Sequence, residues 1–540
     1  MNGSTVEENR VLIYDTTLRD GSQGRGIYFT LEDKLKIAQQ LDAFSIDYIE
    51  GGWPGSNPKD ISFFQRARDL KLKHAKVTAF GSTRRAGVAV DEDPNLRELV
   101  WARVPVATIF GKSWKLHVYD VIGTTLEENL AMIEESVAYL KEQGMEIIYD
   151  AEHFFDGYKD NPEYALETLQ AAVRSGADWV CLCDTNGGTL TRELGEIVAA
   201  VVDRIDIPLG IHTHNDSGLA VANTLEAVAC GARHVQGTIN GYGERTGNAD
   251  LCSIIPNLIL KMGMHCLGGD GRAQLQHLTD LSRYVSELAN LAHDERLPFV
   301  GESSFSHKGG MHVDAMMKNA RSFEHVSPEA VGNTRRFLIS ELSGKGNILQ
   351  KAEEYGVKLS KKSPETAAVL AQLKELENQG YQFEDANASF ELLLRRAQGE
   401  SPNFFQLLNY RVFVERFEDG GTFAEAAVKI QVDGEQLLMA GEGDGPVHAL
   451  DNALRQALMN FYPEIGRMKL RDYKVRILER EKGTGAKPRV IIETSDGSTS
   501  WSTVGVSHDI IEASWKALVD SYVYGLWKAR ARQALENEDG

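Results

Sequence analysis

Asp15-Thr-Thr-Leu-Arg19-Asp20 and, far downstream, His212-Thr-His214 are the stretches of this 540-residue chain whose residue types and spacing suit chemistry. Val11-Leu-Ile-Tyr14 runs into the first stretch and reads as a short buried strand, ended by Thr16, Thr17 and Gly21. A strand end that brings two aspartates and an arginine to one place needs a counter-ion or ligand to offset their desolvation. His212 and His214 are two apart on a strand candidate, so both imidazoles project from one face. With Asp20 they form a two-imidazole, one-carboxylate set that leaves positions open for substrate, the pattern of divalent Mg, Mn, Zn or Fe sites.

These residues need a scaffold that collects strand ends. From Val11 to about Gly263, β-rich runs alternate with amphipathic runs of ten or more residues. The strand candidates are Val11–Tyr14, Tyr48–Glu50, Lys76–Phe80, Val104–Ile109, Glu146–Tyr149, Trp179–Cys183, Leu209–His214 and His234–Thr238. Thr30 with Asp33 and Thr125 with Glu128 predict capping boxes at the starts of helices over 31–44 and 126–142. Eight such units predict an α/β fold, a closed (β/α)8 TIM barrel over 1–269 with its site at the C-terminal strand ends. Residues 270–403 lose the alternation and read as a helical connector. Residues 404–540 return to strand-like runs with two helical ones and read as a separate α+β domain.

Composition excludes some partners. With 58 Lys plus Arg against 78 Asp plus Glu, the net charge of −20 has the wrong sign for nucleic acid. The five cysteines are odd in number and mostly inside apolar runs, so they read as reduced core residues of a cytoplasmic protein. Cys181 and Cys183 share a strand face but lack a second pair at metal spacing. The opening MNGSTVEENR holds no apolar signal core, and no run of about 18 apolar residues occurs, so no membrane partner is expected.

Six stretches in order, TLRDGSQ, DTNGG, HTHND, GYGERTGNA, HKGGMHVDA and GDGPVHALDNAL, resemble the metal-dependent acyltransferases that include the 2-isopropylmalate, homocitrate and citramalate synthases. The resemblance covers nearly the whole chain and implies a Claisen-type condensation of acetyl-CoA, the co-substrate, with a 2-oxo acid, followed by thioester hydrolysis. It implies that Asp20, His212 and His214 ligate Mg²⁺ or Mn²⁺, with Zn²⁺ as a further option, and that Asn248 lies close by in the outer shell. Such a reaction needs a fixed cation at the growing alkoxide, and Arg19, beside a ligand, is the candidate; the alternative makes it only the ion-pair partner of Asp15. For the base near the acetyl methyl, His312 with Asp314 as orienter is favoured, and Glu152 is then a site carboxylate that positions it or water. Thr185 is placed by resemblance at the substrate carboxylate.

The segment YIEGGWPGSNPKD carries Trp53-Pro54, which resembles one branch of the citramalate synthases, whose acceptor is pyruvate; another branch has tyrosine where Asp150, a pocket candidate, stands. A bulky indole near the site would shorten the pocket; alternatively, Trp53 packs under the barrel rim. No spare cation beyond Arg19 is evident at the strand ends for the second carboxylate of 2-oxoglutarate. 2-Oxoisovalerate, the acceptor of the isopropylmalate enzymes, is the runner-up, and a carbon–carbon lyase is a more distant alternative. The last block resembles the regulatory domain of this family, which implies isoleucine as effector and a homodimer.

Overall fold

A computed structural model describes residues 9–338, 345–360, 363–400, 403–418, 420–478, 483 and 485–538. Most of the opening stretch read above as lacking a signal core therefore lies outside the described residues. No helix among the described residues is long and apolar enough to cross a membrane.

Eight strands close into a parallel barrel: β1 (Leu12–Asp15), β2 (Tyr48–Gly52), β3 (Lys76–Ser82), β4 (Val106–Lys112), β5 (Glu146–Glu152), β6 (Trp179–Asp184), β7 (Leu209–Thr213) and β8 (His234–Gly237). Closure comes from β1, which pairs with both β2 and β8. Each strand starts within two residues of its predicted start. Several run on past the predicted end, and β4 and β5 carry Lys112 and Glu152 into paired register. The strands are buried on both faces, as a barrel wrapped by helices requires.

At the helix Leu31–Ala43 the predicted capping box is complete: Thr30 caps the Asp33 N–H and Asp33 returns the bond. At Leu126–Glu142 only the forward half forms, with Thr125 accepting from the Glu128 N–H. The Glu128 carboxylate turns away instead, to Arg84 at 2.7 Å and the Gly87 N–H at 3.0 Å, because a tertiary cation outcompetes a local amide.

The chain divides into two compact units, 1–305 with 324–335, and 306–323 with 336–540. The stretch expected as one connector, 270–403, is thus shared between them. The helix Leu278–Leu288 belongs to the barrel unit, where Ser282 and Ser286 meet Asn240 and Tyr242 beyond β8. In the second unit, β9 (Ser306–His307) pairs with β10 (Arg336–Phe337). Two antiparallel three-stranded sheets follow, β11 (Gln406–Arg416), β12 (Thr422–Val432) and β13 (Glu435–Gly443), then β14 (Lys469–Ile477), β15 (Pro488–Ser495) and β16 (Ser500–Val506). The helices Pro446–Met459 and Ile510–Glu538 cover them. The helix Asn387–Ala397 buries Ala388 and Leu392 in that same core and Phe390 against Val504 and Val506. Composition changes near residue 404, but the apolar core does not stop there.

Deep in the barrel, the His234 ring is fully buried with its centroid 5.2 Å from Tyr14, 5.5 Å from Tyr48 and 5.3 Å from Trp179. Neither ring nitrogen has a partner among the described residues. Burial pushes its pKa from the ordinary 6.5 down to about 3. A depressed folded-state value leaves stability untouched above the unfolded value. Between there and the folded value only the unfolded chain takes the proton, so stability falls as pH falls. At pH 5 the difference is about 2 kcal/mol for one such histidine. His234→Leu should therefore lose less stability than the unaltered chain between pH 7.5 and pH 5 in denaturant titrations; an equal loss in both would contradict this.

Candidate active site

β1 and β7 deliver the convergent donors. After β1 the backbone turns, with the Asp20 N–H donating to Thr16 Oγ1 at 3.3 Å, and the Asp20 carboxylate enters the barrel mouth. His212 lies within β7 and His214 just beyond it. Their Nε2 atoms are 3.3 Å apart, and Asp20 Oδ2 is 3.7 Å from the first and 4.0 Å from the second. All three side chains are buried.

Burial lowers the pKa of both histidines, that of His214 to about 4, so both imidazoles are neutral at neutral pH and keep a lone pair. Burial alone would raise Asp20, but its neighbours, the Arg19 guanidinium foremost, outweigh it and hold the carboxyl below its ordinary range. The three donor groups lie within 4.8 Å of one another. This donor set fits a divalent cation, which would relieve the crowding of lone pairs. Asn248 orients Asp20 by donating from Nδ2 to Oδ1 at 3.1 Å, while its own Oδ1 is buried without a hydrogen-bond partner among the described residues.

Arg19 does not pair with Asp15. Asp15 is occupied locally by the Thr17 N–H and hydroxyl, at 3.0 and 2.8 Å, and burial pushes its pKa up to about 7. The guanidinium instead donates from Nε to Glu50 Oε2 at 2.6 Å, approaches Asp20 Oδ2 at 3.3 Å and lies 3.7 Å over the Phe80 ring. Burial by itself would weaken the Arg19 charge; Glu50 and Asp20 more than offset it. Glu50 escaped the sequence reading because it was counted only as the last residue of its strand.

A cavity of about 220 Å³ opens beside these groups. Trp53, Phe80 and Phe110 wall one side: the indole meets the two phenyl rings edge-on at 5.8 and 5.7 Å, and these stack at 5.4 Å. Trp53 lines the cavity rather than lying under the rim, held by its Nε1–H to Asn95 Oδ1 at 2.8 Å and its backbone N–H to Asp60 at 3.0 Å. Glu152 lines it too, ion-paired with Lys112 across the β4–β5 register. The Thr185 hydroxyl accepts from the His153 N–H at 2.9 Å. His153 adopts φ 54°, which turns the chain sharply after β5. Arg245, also at the wall and present above only within the stretch GYGERTGNA, is clamped by Asp216 at 2.8 Å through both Nε and Nη2.

Asp150 lines the cavity as well; its Oδ1 accepts from Gln236 Nε2 at 2.8 Å and it sits beside Cys181 and Cys183. Burial, reinforced by Glu50, pushes Asp150 up to about 8, so it is neutral at pH 7. Burial also pushes Cys183 up to about 11 and Cys181 well above the ordinary thiol range, so this second cluster presents thiols, not thiolates. All five cysteines are free.

His312 and Asp314 belong to the second unit, on the helix Gly310–Lys318. The His312 ring is exposed and stacks on Phe323 at 4.2 Å; Asp314 accepts from Lys318 at 2.9 Å.

Three family models match in order: HMGL-like over residues 10–285, homocitrate synthase post-HMGL domain-like over 299–381, and the LeuA allosteric (dimerisation) domain over 384–526. An (R)-citramalate synthase of Aquifex aeolicus is 54% identical over 521 residues, covering 96% of this chain and 98% of the relative. An (R)-citramalate synthase of Geobacter sulfurreducens is 54% identical over 520 residues with the same coverage. A probable 2-isopropylmalate synthase of Methanopyrus kandleri is more distant, 32% identical over 95% of this chain and 97% of its own.

Proposed function

We propose, for a chain that belongs to the HMGL-like family and within it to the (R)-citramalate synthases, a condensation of acetyl-CoA with pyruvate that gives citramalate and CoA. It is an acyltransferase. The acetyl methyl loses a proton, the carbanion attacks the ketone carbon of pyruvate, the ketone oxygen ends as a hydroxyl, and water hydrolyses the thioester.

A divalent ion, Mg²⁺ or Mn²⁺ by the donor set, with Zn²⁺ as a further option, would be held by Asp20, His212 and His214 and would supply Lewis acidity toward the ketone. Arg19, already ordered by Glu50 and Asp20, faces the charge that grows on that oxygen without further reorganisation. Thr185 accepts from a backbone N–H and so keeps its own hydroxyl proton for the pyruvate carboxylate. His312, with Asp314 two residues on along the same helix, is the base this reading gives the methyl proton to, and Glu152, held by Lys112, positions the hydrolytic water.

The observation that carries pyruvate is the aromatic part of the cavity wall. Trp53, Phe80 and Phe110 make it apolar, and the cations lining the cavity, Arg19 and Arg245, each already have a carboxylate. A second substrate carboxylate would find no counter-charge, and a branched side chain would meet aromatic rings. The LeuA domain over 384–526 supports allosteric control by isoleucine, the end product expected downstream of citramalate, and a homodimer. The cytoplasm is the compartment this reading implies.

Initial rates with pyruvate, 2-oxobutyrate, 2-oxoisovalerate and 2-oxoglutarate should rank pyruvate first in kcat/KM. The margin over the branched acid should be about 10–200-fold; a preference for 2-oxoisovalerate would replace this reading by isopropylmalate synthesis. His312→Ala should lower kcat by about 10²–10⁴-fold while calorimetric pyruvate binding is kept, and near-normal kcat would remove the base assignment. Isoleucine added to the full chain should slow turnover more than leucine or valine; equal or absent inhibition would reject it as effector.

A further inference from the structure

Gln236 stands on β8 opposite His212 on β7, a paired position in the parallel register, and is fully buried. Its amide touches two groups. Nε2 donates to Asp150 Oδ1 at 2.8 Å, and Oε1 lies 2.9 Å from His212 Nδ1. A side-chain amide has donors at one end and an acceptor at the other, so what holds one end decides what the other offers. Asp150 keeps Oδ1 as an acceptor even as the neutral acid when its proton sits on Oδ2, and in that form it holds the NH₂ end and turns the carbonyl end to the imidazole. A neutral imidazole facing a carbonyl carries its proton on that nitrogen, which puts the lone pair on Nε2. The reversed amide would set N–H against Nδ1 and move the proton to Nε2, where it would occupy the ligand position. His214 has no such device: its Nδ1 is buried without a hydrogen-bond partner among the described residues.

We propose that Gln236 is a positioning residue for the metal centre: anchored by Asp150, it holds His212 in the tautomer and ring orientation that present Nε2 beside Asp20 and His214. The proposal rests on the reading that these three residues bind a divalent ion, and it adds a residue that stands behind the cavity lining rather than in it. Outer partners of this kind tune affinity because a ligand free to rotate or tautomerise must be ordered when the ion binds.

The test is equilibrium binding of Mn²⁺ alone to the full chain at pH 7.5, with free Mn²⁺ counted by electron paramagnetic resonance. Gln236→Leu removes both hydrogen bonds and should raise the Kd by about 10–100-fold, with excess Mn²⁺ restoring most of kcat. Gln236→Asn, a milder change that keeps a polar group but withdraws the carbonyl, should weaken binding in the same direction. Gln236→Glu keeps an acceptor toward Nδ1 and should bind Mn²⁺ close to the unaltered protein. Unchanged affinity in both the Leu and Asn variants overturns the proposal, and so does a Glu variant as weak as the Leu variant. Asp20→Asn separates the two readings. It should lose Mn²⁺ binding, and if it binds as tightly as the unaltered chain, the assignment of the centre itself fails, whatever Gln236 does.

Discussion

The Glu50 carboxylate is wholly removed from water and takes hydrogen bonds from the Tyr14 hydroxyl at 2.6 Å, the Thr16 hydroxyl and Arg19 Nε at 2.6 Å. A buried carboxylate is tolerable only with a cation and enough donors, and a buried guanidinium only with carboxylates. Glu50 and Arg19 therefore cannot be separated without leaving an uncompensated charge. Arg19 passes the constraint on to Asp20, whose other oxygen is tied to Asn248 and which faces His212 and His214. The first, second, seventh and eighth strands, with the loop that follows the eighth, thus meet through one continuous polar cluster. The aromatic wall belongs to it as well, because Arg19 lies on the Phe80 face and Phe80 supports Trp53.

Much of this was legible in the amino-acid sequence because it depends on local pattern. Short apolar runs that end in Asp, Glu or His mark strands and the end at which chemistry collects, and eight of them at βα spacing define the barrel. What pattern cannot supply is register. Lys112 becomes the partner of Glu152, Gln236 that of His212, and Cys181 the neighbour of Asp150 only because β4–β5, β7–β8 and β5–β6 pair at particular offsets. Glu50 and Arg245 were missed for the related reason that their partners are distant in sequence. The Thr125 box shows the opposite error, a local rule overridden by Arg84 reaching in from another loop. The change of composition near residue 404 likewise suggested a boundary that the shared apolar core of the helix Asn387–Ala397 does not respect.

Partners, not exposure, sort the buried ionisable groups by charge state. His234, with no hydrogen-bond partner among the described residues, is neutral among aromatic rings; Asp150, beside Gln236 and the thiols, is pushed up to about 8; Arg19 and Asp20, bonded to each other and through Arg19 to Glu50, keep their charges. All of these side chains are buried or, for Arg19, nearly so; what differs is the number of partners able to share the charge. The neutral state of Asp150 matters for what sits above it. Asp20 and Glu50 against Arg19 leave one net negative charge, the Lys112–Glu152 and Arg245–Asp216 pairs cancel, and Glu244 at the cavity wall adds a second. A dication would bring that set to balance, which admits a 2-oxo acid arriving as an anion. An ionised Asp150 would leave the site negative and repel the carboxylate it has to admit. Its burial therefore serves the electrostatics of the cavity as much as the packing beneath it.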